Sequence, residues 1–149
     1  MSDRPLDADE RVALAARIDG WLAEQQIGNP AVAAVEADVD GPQTWFVRMK
    51  GEDKDVYTIR LRLDQRTLAY ETFVMPAPQE NHADFYAYLL RQNLKMFGLA
   101  FAIGEEDAIF LSGQIDNRDL DGDAVDRILG TMYAWVEQCF RTALRIGYA

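Results

Sequence analysis

The chain has 149 residues, 49% of them hydrophobic, with a net charge of −10 and a single cysteine, Cys139. Such a chain can bury its own core, it excludes an internal disulfide and a zinc site built on several thiolates, and its charge opposes binding to nucleic acid or an anionic membrane. The longest strictly apolar run, "FYAYLL", is far short of the ~20 residues a membrane-spanning helix needs, and the acidic start "MSDRPLDADER" lacks the apolar stretch of a secretion signal. The cytoplasm is therefore the expected compartment, and proteins are the expected partners.

No repeat, low-complexity tract or Pro/Gly/Ser-rich linker divides residues 1–149, so one domain is expected. A first helix is predicted from about Asp7 to Gln26, where Leu14, Ile18, Trp21 and Leu22 recur at helical spacing and "GNP" stops it. The segment "AVAAVEADVD" reads either as a short strand or as a lead-in that covers the core. Three strands follow by alternation. "TWFVRMK" sets Trp45, Val47 and Met49 on one face, "DVYTIRLRL" groups Tyr57, Ile59, Leu61 and Leu63, and "TLAYETFVM" groups Leu68, Tyr70, Thr72 and Val74. Between the last two, an even-length turn within Asp64–Thr67 pairs Leu63 with Leu68, Leu61 with Tyr70 and Arg60 with Glu71. A slip of one residue would mix buried and exposed faces.

A second helix begins after the prolines at 76 and 78 and ends near "FGLA". The runs "LAFAI" and "AIFLSGQI", separated by "GEED", form a further hairpin. A closing helix runs from about Asp121 to Arg145, with Val125, Leu129, Met132, Val136, Cys139, Ala143 and Ile146 in alternating steps of four and three. Ile128, Trp135, Phe140 and Leu144 widen that stripe, which suits a helix lying on a sheet. Gly130 inside it costs about 1 kcal/mol against Ala, which points to close backbone packing. The order is α-β-β-β-α-β-β-α, an α+β fold with an antiparallel sheet of about five strands and three helices.

The only histidine, His82, stands between Glu80 and Asp84. Asn81 is suited to cap the second helix and Asp84 to favour its positive end, which leaves His82 at the first helical position, facing solvent. Glu80 precedes the helix, and positions two apart on a helix do not share a face, so the three side chains make a poor metal site. "NRDLDGDAVDRI" imitates a calcium loop through Asn117, Asp119, Asp121 and Gly122, but its twelfth position is Ile128 where a bidentate Glu is required. No phosphate-binding or nucleophile-elbow glycine pattern occurs, and Ser112, one of two serines, has no local catalytic signature. Asn93 lies near the apolar stripe of the second helix, where a half-buried amide needs hydrogen-bond partners. Cys139 sits in an apolar pattern and reads as a small core residue.

The segments "RTLAYETFVM", "PQENHADFYAYLLRQN", "MFGLAFAIGEEDAIFLSGQI" and "VDRILGTMYAWVEQCF" resemble the YbjN family, described as bacterial sensory transduction regulators. They run from about Thr67 to the end, with a fainter stretch from Trp45. The most specific part is "ENHADFYAYLLRQN" followed by "FGLAFAI" and "LSGQI". The resemblance implies the fold of type III secretion chaperones, which are small, acidic, usually dimeric proteins that bind segments of other proteins. It implies no part in secretion and supplies no catalytic residues.

These readings favour a non-enzymatic protein-interaction module, a regulator or chaperone-like adaptor, with no catalytic, cofactor or metal residues. The alternative is a small-molecule or metal-binding sensor using the Arg-bearing sheet face or the acidic clusters. Alternation projects Arg48, Arg60 and Arg62 together with Lys50 nearby and Glu71 against them, and sets Phe46, Phe73, Met75 and Phe110 on the same side. Expected partner contacts are Arg48, Arg60, Arg62 and Phe73 on that face and Tyr86 and Asn93 on the second helix. A homodimer is expected from the resemblance, and from aromatic residues spread over more than one face of that helix.

Overall fold

The computed structural model describes residues 4–40 and 43–148. Its elements are α1 (Ala8–Gly28), β1 (Val32–Ala37), β2 (Thr44–Lys50), β3 (Val56–Leu63), β4 (Thr67–Met75), α2 (His82–Asn93), β5 (Leu99–Ile103), β6 (Ile109–Asp116) and α3 (Gly122–Gly147), with short 3-10 turns before β6 and α3. The strands form one six-stranded sheet in the order β1-β2-β3-β4-β6-β5, and every neighbouring pair is antiparallel. The sixth strand is β1, from the segment whose small residues left it ambiguous. The Asn29 side chain accepts from the Ala31 amide at 3.0 Å and turns the chain out of α1, and Val32 then enters the core.

The sheet has one covered and one open face. On the covered face Val47, Ile59, Leu61, Leu68 and Leu111 are buried, as strict alternation requires. α1 packs beside β1, α3 lies over β4, and α2 bridges α3 and β5. The β3–β4 hairpin has the even register, with Leu63 opposite Leu68, Leu61 opposite Tyr70 and Arg60 opposite Glu71.

Alternation misplaces Met75. Phe73 faces Phe110 and Met75 faces Ile109, so Val74 is an extra residue on β4. That bulge turns Met75 away from the open face, and it is 2% exposed in the core. Gly130 also departs from expectation. It is exposed on α3, and an added Cβ would meet nothing within 4 Å, so no close packing explains it. The crowded glycine of α3 is Gly147, where a Cβ would come within 2.9 Å of Phe85 and 3.0 Å of Pro78.

Tertiary contacts set both ends of α2. Asn81 stands at the N-cap position but does not cap; its backbone is left-handed, and its amide donates instead to the Ile146 carbonyl at 2.9 Å. The Gln79 and Glu80 amides donate to the Gly147 carbonyl, so the start of α2 is fastened to the end of α3. At the other end, α2 stops at Asn93 rather than near Phe97. Lys95 and Met96 close tight turns on Gln92 and Asn93, and Gly98 takes a positive φ of 75°.

Candidate functional site

The open face is built by the positions of β2, β3, β4 and β6 that alternate with the core. Phe46 lies opposite Arg60, Arg60 opposite Glu71, and Glu71 opposite Ser112. Arg48 and Arg62 stand on either side of that row, on β2 and β3. The Arg60 guanidinium meets Glu71 at 2.8 Å and Arg62 meets Asp64 at 3.4 Å. All four side chains are well exposed, so each pair contributes roughly 0–1 kcal/mol and can be exchanged for another carboxylate at little cost. Arg48 makes no ion pair with a described residue. Between Arg60, Arg62, Glu71 and Ser112 lies a shallow depression of about 240 Å³.

Next to this basic row is an aromatic corner. Phe73 and Phe110 meet edge to face, with ring centroids 5.8 Å apart. The Lys54 ammonium sits 5.3 Å from the Phe73 ring and 5.1 Å from the Phe140 ring and donates to the Val74 carbonyl at 2.8 Å. Burial lowers the pKa of this lysine. The loop that carries Lys54 is held from α3. Glu137 accepts from the Glu52 and Asp53 amides at 3.0 and 2.7 Å, and Arg141 reaches Asp53 at 3.3 Å. Sequence reading missed Lys54 and Glu137. They lie far apart in the chain, and neither falls in a periodic pattern.

The structure thus brings Arg48, Arg60, Arg62 and Phe73 to one face, but Tyr86 and Asn93 lie elsewhere, on α2 on the covered side. Tyr86 lines an apolar groove of about 260 Å³ between α2 and β5, together with Leu90 and Ile103. Leu90 is 67% exposed there. Both ends of the Asn93 amide are engaged. Its nitrogen donates to the Phe101 carbonyl at 3.1 Å, and its oxygen accepts from the Phe101 amide at 2.7 Å. Asn93 therefore imitates one residue of a neighbouring strand along β5.

Structure uses part of the second acidic cluster. His82 is exposed at the first position of α2, and among the described residues no three His, Cys, Asp or Glu side chains converge as metal ligands. In the calcium-like loop, the buried Asn117 donates to the Asp64 carbonyl at 3.1 Å, and Asp121 caps α3 by accepting from the Ala124 amide at 2.7 Å. Cys139 is buried, and burial pushes its thiol pKa up, away from reactivity.

A family model described as "Putative bacterial sensory transduction regulator", YbjN, matches residues 14–145. Curated relatives include an uncharacterized protein of Mycobacterium tuberculosis, 33% identical over 107 residues, or 72% of this chain and 58% of that one. A second, from Mycobacterium leprae, is 30% identical over 109 residues, or 73% of this chain and 59% of that one. The match thus spans less than two thirds of these relatives' length. Among solved structures, the Yersinia pestis type III secretion chaperone SycH, in complex with a stable fragment of YscM2, superposes with a TM-score of 0.54 at 14% identity, over 83% of this chain and 96% of that one. The HopA1–SchA chaperone–effector complex gives a TM-score of 0.62 at 15% identity, over 93% and 99%. At such identity the likeness is one of fold, and the fold is that of type III secretion chaperones. The chain belongs to the YbjN family.

Proposed function

We propose that this chain is a single-domain, non-enzymatic cytoplasmic adaptor, and that it holds a segment of another protein on the open face of its sheet. The observation that carries the reading is that face itself. It presents Arg48, Arg60 and Arg62 beside Phe46, Phe73 and Phe110, in a chain whose net charge is −10. Guanidinium groups grip carboxylates in two-point contacts, and aromatic rings supply contact area, so the fitting partner is an acidic segment with apolar anchors. Glu71 and Asp64 occupy two of these arginines and would yield to the partner's acids. The superposed chaperones are both described in complexes with other proteins, which supports the same reading.

The test pairs Arg60→Glu with Arg62→Glu and uses photocrosslinkers at Thr58 on the open face and at Asp126 on α3. The expected result is a folded double variant that no longer captures the partner, with crosslinks in the parent protein confined to Thr58. Equal capture by the folded double variant would show that the open face is not the binding surface.

The same proposal includes a homodimer through the groove of Tyr86, Leu90 and Ile103, with Asn93 holding β5 in place for the contact. Its support is the exposure of Leu90 and Ile103 beside one another on α2 and β5. Light scattering should give twice the chain mass at micromolar concentration, and Leu90→Glu should halve it. A single-chain mass for the parent protein would defeat the dimer.

A further inference from the structure

The helical layer leaves one end of the covered face incompletely roofed. Between α3 and the β5–β6 end of the sheet lies a half-open cleft of about 410 Å³. Its apolar walls are Ile128 and Trp135 from α3 and Leu99 and Ile115 from the sheet. Phe97, 98% exposed, stands beside them on the connection between α2 and β5. That connection is drawn inward because Gly113 has no side chain; a Cβ there would lie 2.1 Å from the Gly98 carbonyl oxygen. The Tyr70 hydroxyl donates to the same carbonyl at 3.2 Å and fixes one wall.

The polar side chains that α3 brings to the cleft are few. Arg127 and Thr131 are one helical turn apart on α3 and both line the cleft. Arg127 makes no hydrogen bond or ion pair with any described residue, although the chain carries 25 acidic side chains against 15 basic ones. The cleft lines itself with no carboxylate. Concave apolar sites of ~300–1,000 Å³ with a few convergent polar groups are the usual size and character of small-molecule sites. An unpartnered guanidinium at an otherwise apolar cleft selects for negative charge on one end of an apolar body.

We propose that this cleft binds a small amphipathic carboxylate, with the apolar body against Ile128 and Trp135 and the carboxylate on Arg127 and Thr131. The site is distinct from the open sheet face, so it gives the adaptor a second, chemically different input.

Isothermal titration calorimetry of the full chain with octanoate, octan-1-ol and octylamine tests this, with backbone amide shifts locating the site. Octanoate should bind saturably and more tightly than octan-1-ol, and octylamine should bind weakest. Shifts should centre on residues 97–99 and 127–135. Arg127→Gln, on an exposed position, should weaken octanoate about ten- to a hundredfold and leave octan-1-ol unchanged. Thr131→Trp should obstruct both ligands. The proposal is overturned if octanoate gives no saturable heat at millimolar concentration, if folded Arg127→Gln binds it unchanged, or if the shifts fall on the open sheet face.

Discussion

The two faces of the sheet are made by the same strands, one residue out of step, and they do opposite work. On β3, Tyr57, Ile59, Leu61 and Leu63 are buried under helices while Thr58, Arg60 and Arg62 alternate with them on the other side. On β6, Ile109 and Leu111 are buried while Phe110, Ser112 and Gln114 are not. The covered face carries the hydrophobic stabilisation, so its chemistry is fixed by packing. The open face contributes little to stability, which frees it to carry charge and aromatic rings. Position parity along a strand should therefore predict the cost of a substitution better than residue type does.

The largest test removes a covered side chain. Leu111 is 0% exposed on β6, between β4 and β5, and Leu111→Ala should cost about 2–5 kcal/mol, read as a lowered urea midpoint with unchanged slope. Asn93→Ala should come next. It strips Phe101 of two hydrogen-bond partners at the sheet edge, at a cost of about 1–3 kcal/mol, and should speed hydrogen exchange of the Phe101 amide. Arg60→Ala should cost at most about 1 kcal/mol, since its ion pair with Glu71 is exposed. A loss near that of Leu111→Ala would break the contrast between the faces. The smallest effect is on the covered side, where the Tyr57 hydroxyl is buried with no partner among the described residues. Tyr57→Phe removes that unsatisfied group and should leave stability unchanged or raise it by up to about 1 kcal/mol.

A pH experiment sharpens the same comparison. Burial raises the ionisation of Tyr57 and Cys139 above the ordinary values for these groups, 10.0 and 9.0. The folded state holds these protons more tightly than the unfolded chain, so their contribution is fully present below those ordinary values. It is lost as pH rises through them towards the raised folded values. Urea midpoints should fall above about pH 9 for the parent protein, and less steeply for Tyr57→Phe. An identical fall in both would remove Tyr57 as a source.

What the sequence made legible follows from these faces. Period-two alternation places β2, β3 and the hairpin register because a slip would set Glu71 opposite Ile59 and mix the two faces. The broad apolar stripe placed α3 for the same reason. Alternation also grouped Arg48, Arg60, Arg62 and Phe73 on one face. It cannot foresee Val74, because a bulge adds a residue without changing local hydropathy, and so it places Met75 on the wrong side. β1 was ambiguous because Ala33 and Ala34 carry little face preference. The ends of α2 depend on partners distant in the chain, Ile146 for Asn81 and Phe101 for Asn93. Sequence reading left Lys54, Glu137 and Arg127 unremarked, because only tertiary folding gives them their neighbours.

The clamp on Phe101 also bears on how the sheet could propagate beyond one molecule. Within β5 the backbone groups of Leu99, Phe101 and Ile103 point away from β6, and the middle set is occupied by Asn93. No unbroken run of free donors and acceptors remains at that border. At the opposite border, the outward groups of Val35 and Ala37 on β1 have no such cover among the described residues. Head-to-tail stacking of sheets into a fibre needs both borders to be receptive, and here only one is. Two copies joined β1 to β1 would present a clamped β5 at each end, and extension by strand pairing would go no further. Loss of Asn93 should therefore leave both borders of the sheet open to strand pairing.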